Sequence, residues 1–167
     1  MKKLWVALTV ALLVSVAIGV GAASATHSNG EGPNQDLVSG TSQFEGGGFD
    51  AQLHVNATSS PSGKNPRGHF FYRQSSSGTN QFDFSGRVTC VNVNGNLAGL
   101  AGEVTKSKNP SVAEGSGVLI SVEDRGQGAE DVARVRLNLP APPPECSFII
   151  MRVDFQKGNF IVHDAMP

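Results

Sequence analysis

The chain has 167 residues, with 13 Lys and Arg against 14 Asp and Glu, 20 Gly, 9 Pro and two Cys. A formal charge of −1 argues against a general nucleic-acid binder, which needs a concentrated basic surface. Apolar alternation recurs along most of the length, which excludes a disordered polymer.

The N-terminus reads MKKLWVALTVALLVSVAIGVGAASATHSNG. Lys2 and Lys3 form a positive start, Leu4 to Val20 an almost unbroken apolar run, and Ala23-Ser24-Ala25 a small-residue exit. This is the pattern of a secretory signal peptide over 1–25, cut after Ala25. The rival is an uncleaved anchor, for which about 17 apolar residues lie at the lower limit. The polar sequel favours cleavage. No second long apolar run follows, so no membrane span is expected after cleavage, and the expected location is outside the cell. Loss of Lys2 and Lys3 leaves 142 residues with 11 basic and 14 acidic side chains, a net charge of −3.

Residues 26–47 are polar and Gly-rich and read as a flexible lead, ending in a short strand near Asp36 to Ser39. From 48 to 167 the pattern is that of a single antiparallel β domain. In FDAQLHVNA, Phe49, Ala51, Leu53, Val55 and Ala57 share one face, and Asp50, Gln52, His54 and Asn56 the other. SSPSGKNPRG breaks the chain, HFFYRQ is a second strand, and QFDFSGRVTCVNV a long third one. There Phe82, Phe84, Gly86, Val88 and Cys90 have one parity, while Val91 and Val93 have the other. Either both faces are covered or a bulge near Gly86 or Cys90 shifts the phase.

Asn94-Gly95 is expected to form a two-residue hairpin turn. Strand four, NLAGLAGEVTK, turns Ala98, Leu100, Gly102 and Val104 inward, small side chains suited to bulky neighbours. VLISVED is strand five, with Val118, Ile120 and Val122 inward. VARVRLNL is strand six, with Ala133, Val135, Leu137 and Leu139 inward. PAPPPE forces an extended bend. CSFIIMRVDF is strand seven, with Ile149, Met151, Val153 and Phe155 inward; QKGN turns the chain into FIVHDA, strand eight. No segment of the β region shows a helical period. The expected fold is therefore all-β, a single antiparallel meander of about eight strands, barrel-like, with a two-layer β-sandwich as the alternative. Closure into a barrel would remove exposed strand edges.

Cys90 and Cys146 form a disulfide by default outside the cytosol. In the chain-entropy model a loop of that length stabilises the fold by about 4 kcal/mol. The alternative, reactive or metal-binding thiols, lacks a CxxC spacing or an adjacent His.

The series GHFFY, FSGRVTCVNVNGNLAGLAGEV, VLISVEDRGQGAEDVARVRL, PECS and GNFIVHDA resembles a family of secreted prokaryotic β domains known as post-COAP domains. The order of these pieces from about Gly48 to Ala165 carries the resemblance. It implies an extracellular antiparallel β fold and a paired cysteine set at Cys90 and Cys146. It supplies no catalytic residue.

Other candidate sites are sparse. GxxxGxxG at Gly95, Gly99 and Gly102 is neither a Walker loop nor a dinucleotide fingerprint; the plain reading is close sheet packing. Glu123, Asp124, Glu130 and Asp131 gather around a Gly-rich turn and are the calcium candidates, although calcium wants six to eight oxygens and no EF-hand spacing is present. The plain alternative is a solvated turn whose acids pair with Arg125 or Arg134. His54, His69 and His163 could hold zinc if the fold brought them together, against ordinary surface histidines. Arg134, Arg136 and Arg152 could form a basic patch, with Glu123 and Asp154 placed to neutralise it. Phe70, Phe71 and Tyr72 are adjacent, so at least one must face outward, where a ring could stack on a sugar or meet a partner. No G-x-S-x-G elbow is present.

The expected function is a secreted, noncatalytic β domain that serves as a cell-surface or accessory interaction module, needs no cofactor and meets an unknown extracellular partner. A small barrel binding an apolar ligand and an extracellular hydrolase are the alternatives.

Overall fold

A computed structural model describes residues 34–46, 48–76, 79–146 and 155–165. The expected signal peptide over 1–25, residues 26–33 and 47 of the lead, and residues 147–154 of the expected seventh strand lie outside the described residues. Eight strands run in chain order: β1 (Asp36–Gly46), β2 (Phe49–Ser59), β3 (Arg67–Ser76), β4 (Thr79–Asn94), β5 (Leu97–Ser107), β6 (Gly117–Glu123), β7 (Asp131–Leu139) and β8 (Phe155–His163). Each pairs antiparallel with the next, and β8 pairs with β1, so the meander closes into a barrel and leaves no free edge. Among the described residues there is no helix, and none is long and apolar enough to cross a membrane.

Period-two alternation sorts the side chains. Leu53, Val55 and Ala57 on β2 are fully buried, and Phe70 and Tyr72 on β3, Phe84 on β4, Leu100 and Val104 on β5 and Ile120 on β6 join them inside. Phe49, assigned inward from its parity, is 40% exposed, because it stands at the mouth where β2 begins. Phe70, like Phe84, is among the largest fully buried side chains of the interior. The positions beside it on β4 and β5 are Gly86 and Gly102, and a Cβ on either would collide with its ring. Burying a ring of this size stabilises the fold by about 2–3 kcal/mol. One mouth is sealed by Val112, from the loop between β5 and β6, which is 1% exposed and packs into the core.

The parity conflict in β4 is resolved by bulges. The β4–β5 register slips between Ser85 and Gly86 and again between Val88 and Cys90. Thr89 is the extra residue at the second slip, so Val88 and Val91 both face the core while Cys90 turns outward. Outside the barrel, Cys90 and Leu139 pack on Ala101 and Leu119, a small second apolar cluster. Leu139 is inward by its parity, but the β6–β7 register slips between Gly117 and Leu119 and turns it out.

Three expectations need correction. The polar lead becomes β1, a full strand of 11 residues rather than a short one near Asp36 to Ser39, because it is paired on both sides, with β2 and with β8. The hairpin turn is displaced by one residue: Asn94 pairs with Leu97, so the turn is Gly95-Asn96. Gly95 supplies the only positive φ there, +61°, as a type II′ turn requires at its first central position. Finally, QKGN is not a turn between strands. Gln156 to Asn159 continues β8, with Lys157 at φ +71°.

Candidate functional site

The outer face of β2, β3 and β4 gathers rings and charges: Phe71, Arg73, Asp83, His54 and His69. Alternation sends Phe70 and Tyr72 into the core, at 1% and 4% exposure, and leaves only Phe71 outside. Two of the three candidate surface aromatics are thus core residues. The Arg73 guanidinium lies 5.3 Å from the centre of the Phe71 ring. Arg73 also bonds the Asp83 carboxylate at 3.4 Å, and Lys108 Nζ donates to the same oxygen at 2.9 Å. The hydrogen bond from Lys108, helped by its charge and that of Arg73, holds the Asp83 carboxyl below its usual range although burial opposes this. On the same face His54 and His69 stand with ring centres 5.8 Å apart and ring planes 17° from parallel. Inside the barrel, Tyr72 donates its hydroxyl hydrogen to Gln74 Oε1 at 2.7 Å, and burial pushes its pKa up to about 12.

Two carboxylates of the acidic turn, Asp124 and Asp131, accept hydrogen bonds from backbone N–H groups. β7 starts at Asp131, opposite Gly158, so beyond Gly158 the β8 backbone has no β7 residue beside it. Carboxylates take over as acceptors there. Asp131 Oδ2 accepts the Phe160 N–H at 2.6 Å, and Asp124 Oδ2 accepts the Val162 N–H at 3.2 Å. Their second oxygens are used too: Asp131 Oδ1 accepts from Arg125 N at 2.8 Å, and Asp124 Oδ1 from Gly126 N at 2.9 Å. Glu123 pairs with Arg125 at 3.2 Å, and Glu130 is exposed. With Asp124 and Asp131 spent on backbone donors, the four acids do not converge. Among the described residues no group of three or more potential metal ligands forms.

Two further carboxylates finish the same end of the barrel, and neither was visible in the motif pattern. Asp36, 2% exposed, accepts from Ser59 Oγ at 2.9 Å and from Ala165 N at 3.2 Å. Asp164 Oδ2 accepts from Gly95 N at 2.7 Å. Their chemistry is the satisfaction of orphan backbone donors, a need set by tertiary closure rather than by any local spacing.

His163, on β8, pairs in register with Leu37 of β1, so β1 and β2 separate its strand from β3 and His69. The three-histidine zinc arrangement is not formed. Arg134 and Arg136 lie opposite Ser121 and Leu119 on β6, while Arg152 and Asp154 lie outside the described residues.

Cys90 and Cys146 are disulfide-bonded, with Cα atoms 5.7 Å apart and a sequence separation of 56. The bond pins the Pro-rich segment after β7 across the outside of the barrel. Ala141 and Pro142 lie directly over Gly117, where a Cβ would strike their backbone. Asn92 Nδ2 adds a 3.4 Å contact to the Cys146 carbonyl. A cleft of about 500 Å3 runs beside the bond, lined by Asp36, Pro61, Asn92, Val93 and Pro144 among others. No family model, curated protein or solved structure matches the chain.

Proposed function

We propose that the chain is a secreted, noncatalytic β-barrel domain of the post-COAP type, which works through its outer surface as a cell-surface or accessory interaction module. The observation that carries this reading is the filled interior. Phe70, Phe84, Tyr72, Leu53, Leu100 and Ile120 occupy the space a ligand-carrying barrel would keep open, and Val112 closes one mouth. The sides support it as well. Gln52, His54, Asn56, Arg73 and Arg87 lie outside and the apolar side chains inside, the reverse of a barrel that sits in lipid. Among the described residues none of His54, His69 and His163 hydrogen-bonds a serine or a carboxylate, the pairing a serine hydrolase needs. The disulfide suits an oxidising compartment.

The test is uptake of apolar probes. The purified chain is titrated with a long-chain fatty acid and with an environment-sensitive apolar dye. The expected result is no saturable one-to-one binding by either. Stoichiometric binding of one displaced by the other would overturn the reading in favour of a ligand carrier.

A further inference from the structure

We propose that His54 and His69 form a two-imidazole site for a divalent first-row transition-metal ion on the outer face of β2 and β3. The register places them as diagonal neighbours. His54 pairs with Phe71 and Asn56 with His69, so both histidines project from the same face of adjacent antiparallel strands. Their ring centres are 5.8 Å apart. Two imidazoles sharing one ion at a metal–nitrogen distance near 2 Å hold their ring centres roughly 5–6 Å apart. Offset-stacked rings occupy the same range of spacing, and copper titration distinguishes the two arrangements.

Both imidazoles are available as ligands. Neither makes a hydrogen bond or an ion pair among the described residues, and His69 is exposed. The neighbouring charge is balanced: Arg87, opposite His69 on β4, is held by Glu103 at 2.7 Å. The strand backbone fixes both Cα positions, which leaves only side-chain rotation for binding to arrest. Two nitrogens leave the remaining coordination positions to water. Nitrogen donors follow the general rise in affinity toward copper(II), so copper(II) is the probe of choice.

The experiment uses the untagged chain carrying His27→Ala, so that the N-terminal segment does not compete for the ion. Copper(II) is titrated into this parent and into His54→Ala, His69→Ala and His163→Ala variants made in it, with circular dichroism to confirm that each keeps the β fold. The expected result is one ion per parent chain, and at least about tenfold weaker binding in the His54 and His69 variants. His163→Ala should bind as the parent does. Electron paramagnetic resonance should show two coupled imidazole nitrogens in the parent and one in each weakened variant. No binding by the parent, undiminished binding by either single variant, or an equal loss on His163→Ala would overturn the proposal.

Discussion

The Asp131 carboxylate accepts the backbone N–H of Phe160 at 2.6 Å, and this bond substitutes for a missing rung of the sheet where β7 has not yet begun. Asp131 is 4% exposed; its bond from Phe160 N is buried and that from Arg125 N is partly buried. Asp131→Ala would strip acceptors from both Phe160 N and Arg125 N. Each unsatisfied buried donor costs about 1–3 kcal/mol. The expected loss is therefore about 2–4 kcal/mol, measured by urea unfolding. Asp131→Asn keeps one acceptor oxygen and should fall between the variant and the parent. A loss below about 0.5 kcal/mol for Asp131→Ala would show that the seam is not held this way.

The Cys90–Cys146 bond closes a long loop and anchors the Pro-rich segment, and Cys90 packs with Leu139 on the apolar patch at Ala101 and Leu119. Its removal, by reduction or by the Cys90→Ala, Cys146→Ala double variant, should cost about 4 kcal/mol by the chain-entropy model. Part of the loss should appear as binding of an apolar dye at this patch. An unchanged melting temperature after reduction would leave the bond without a stabilising role.

What the sequence made legible follows a physical division. Where the middle of a strand packs one face on the core, parity announced it: β2 is the clear case, although Phe49 at its end and Leu139 past a register slip escaped the rule. The conflict between Phe84 and Val91 offered a bulge near Gly86 or Cys90 as one of two readings, and the register slips at both. The two cysteines declared their pairing because no other partner existed. β1 was hidden because Ser39, Gly40, Thr41, Ser42 and Gln43 carry little local preference for a strand; pairing on both sides makes it one. The continuity of β8 through QKGN was hidden for the same reason, since turn-like residues were overruled by the need to close the barrel. The acidic turn was legible as a cluster but not as an acceptor array, because the donors it serves lie 29 and 38 residues away.

Phe70 and Gly102 are a fitted pair. A methyl group at position 102 would meet the Phe70 ring and crowd the Arg87 carbonyl at 2.9 Å. Gly102→Ala should cost about 1–3 kcal/mol through overpacking. Phe70→Leu alone should cost about as much through lost burial, but the double variant should be less destabilised than the sum. The thermal unfolding of the four proteins gives the coupling. Strict additivity would mean that the ring is not what keeps position 102 a glycine.

Asp83 predicts an acid dependence. Its native pKa lies below its unfolded value, chiefly through the Lys108 hydrogen bond. The unfolded chain therefore takes up the proton first as pH falls. The contribution of Asp83 is fully present above an unfolded pKa of about 3.9 and drains away as pH falls through the native value. Stability of the parent should drop over that acid window, and Asp83→Asn should show a shallower drop. Parallel curves for the two proteins would remove Asp83 from the acid response.

Tyr72 gives the corresponding prediction on the alkaline side, with an unusually clean readout. It is the chain's only tyrosine. Tyrosinate absorbance therefore reports this one residue. Burial raises its native pKa to about 12, whereas the unfolded chain should titrate near the ordinary value of about 10. The sign follows from proton counts. Between these values the unfolded state has released the proton and the native state has kept it, so stability falls as pH rises through that window and levels off above it. Absorbance should show a native transition close to the upper value and a denatured one close to the lower. Tyr72→Phe, which loses the hydroxyl and its bond to Gln74, should lack this component of the alkaline slope. A native transition near the ordinary value would place the ring in water and would undo the filled barrel on which the surface-acting reading of this protein depends.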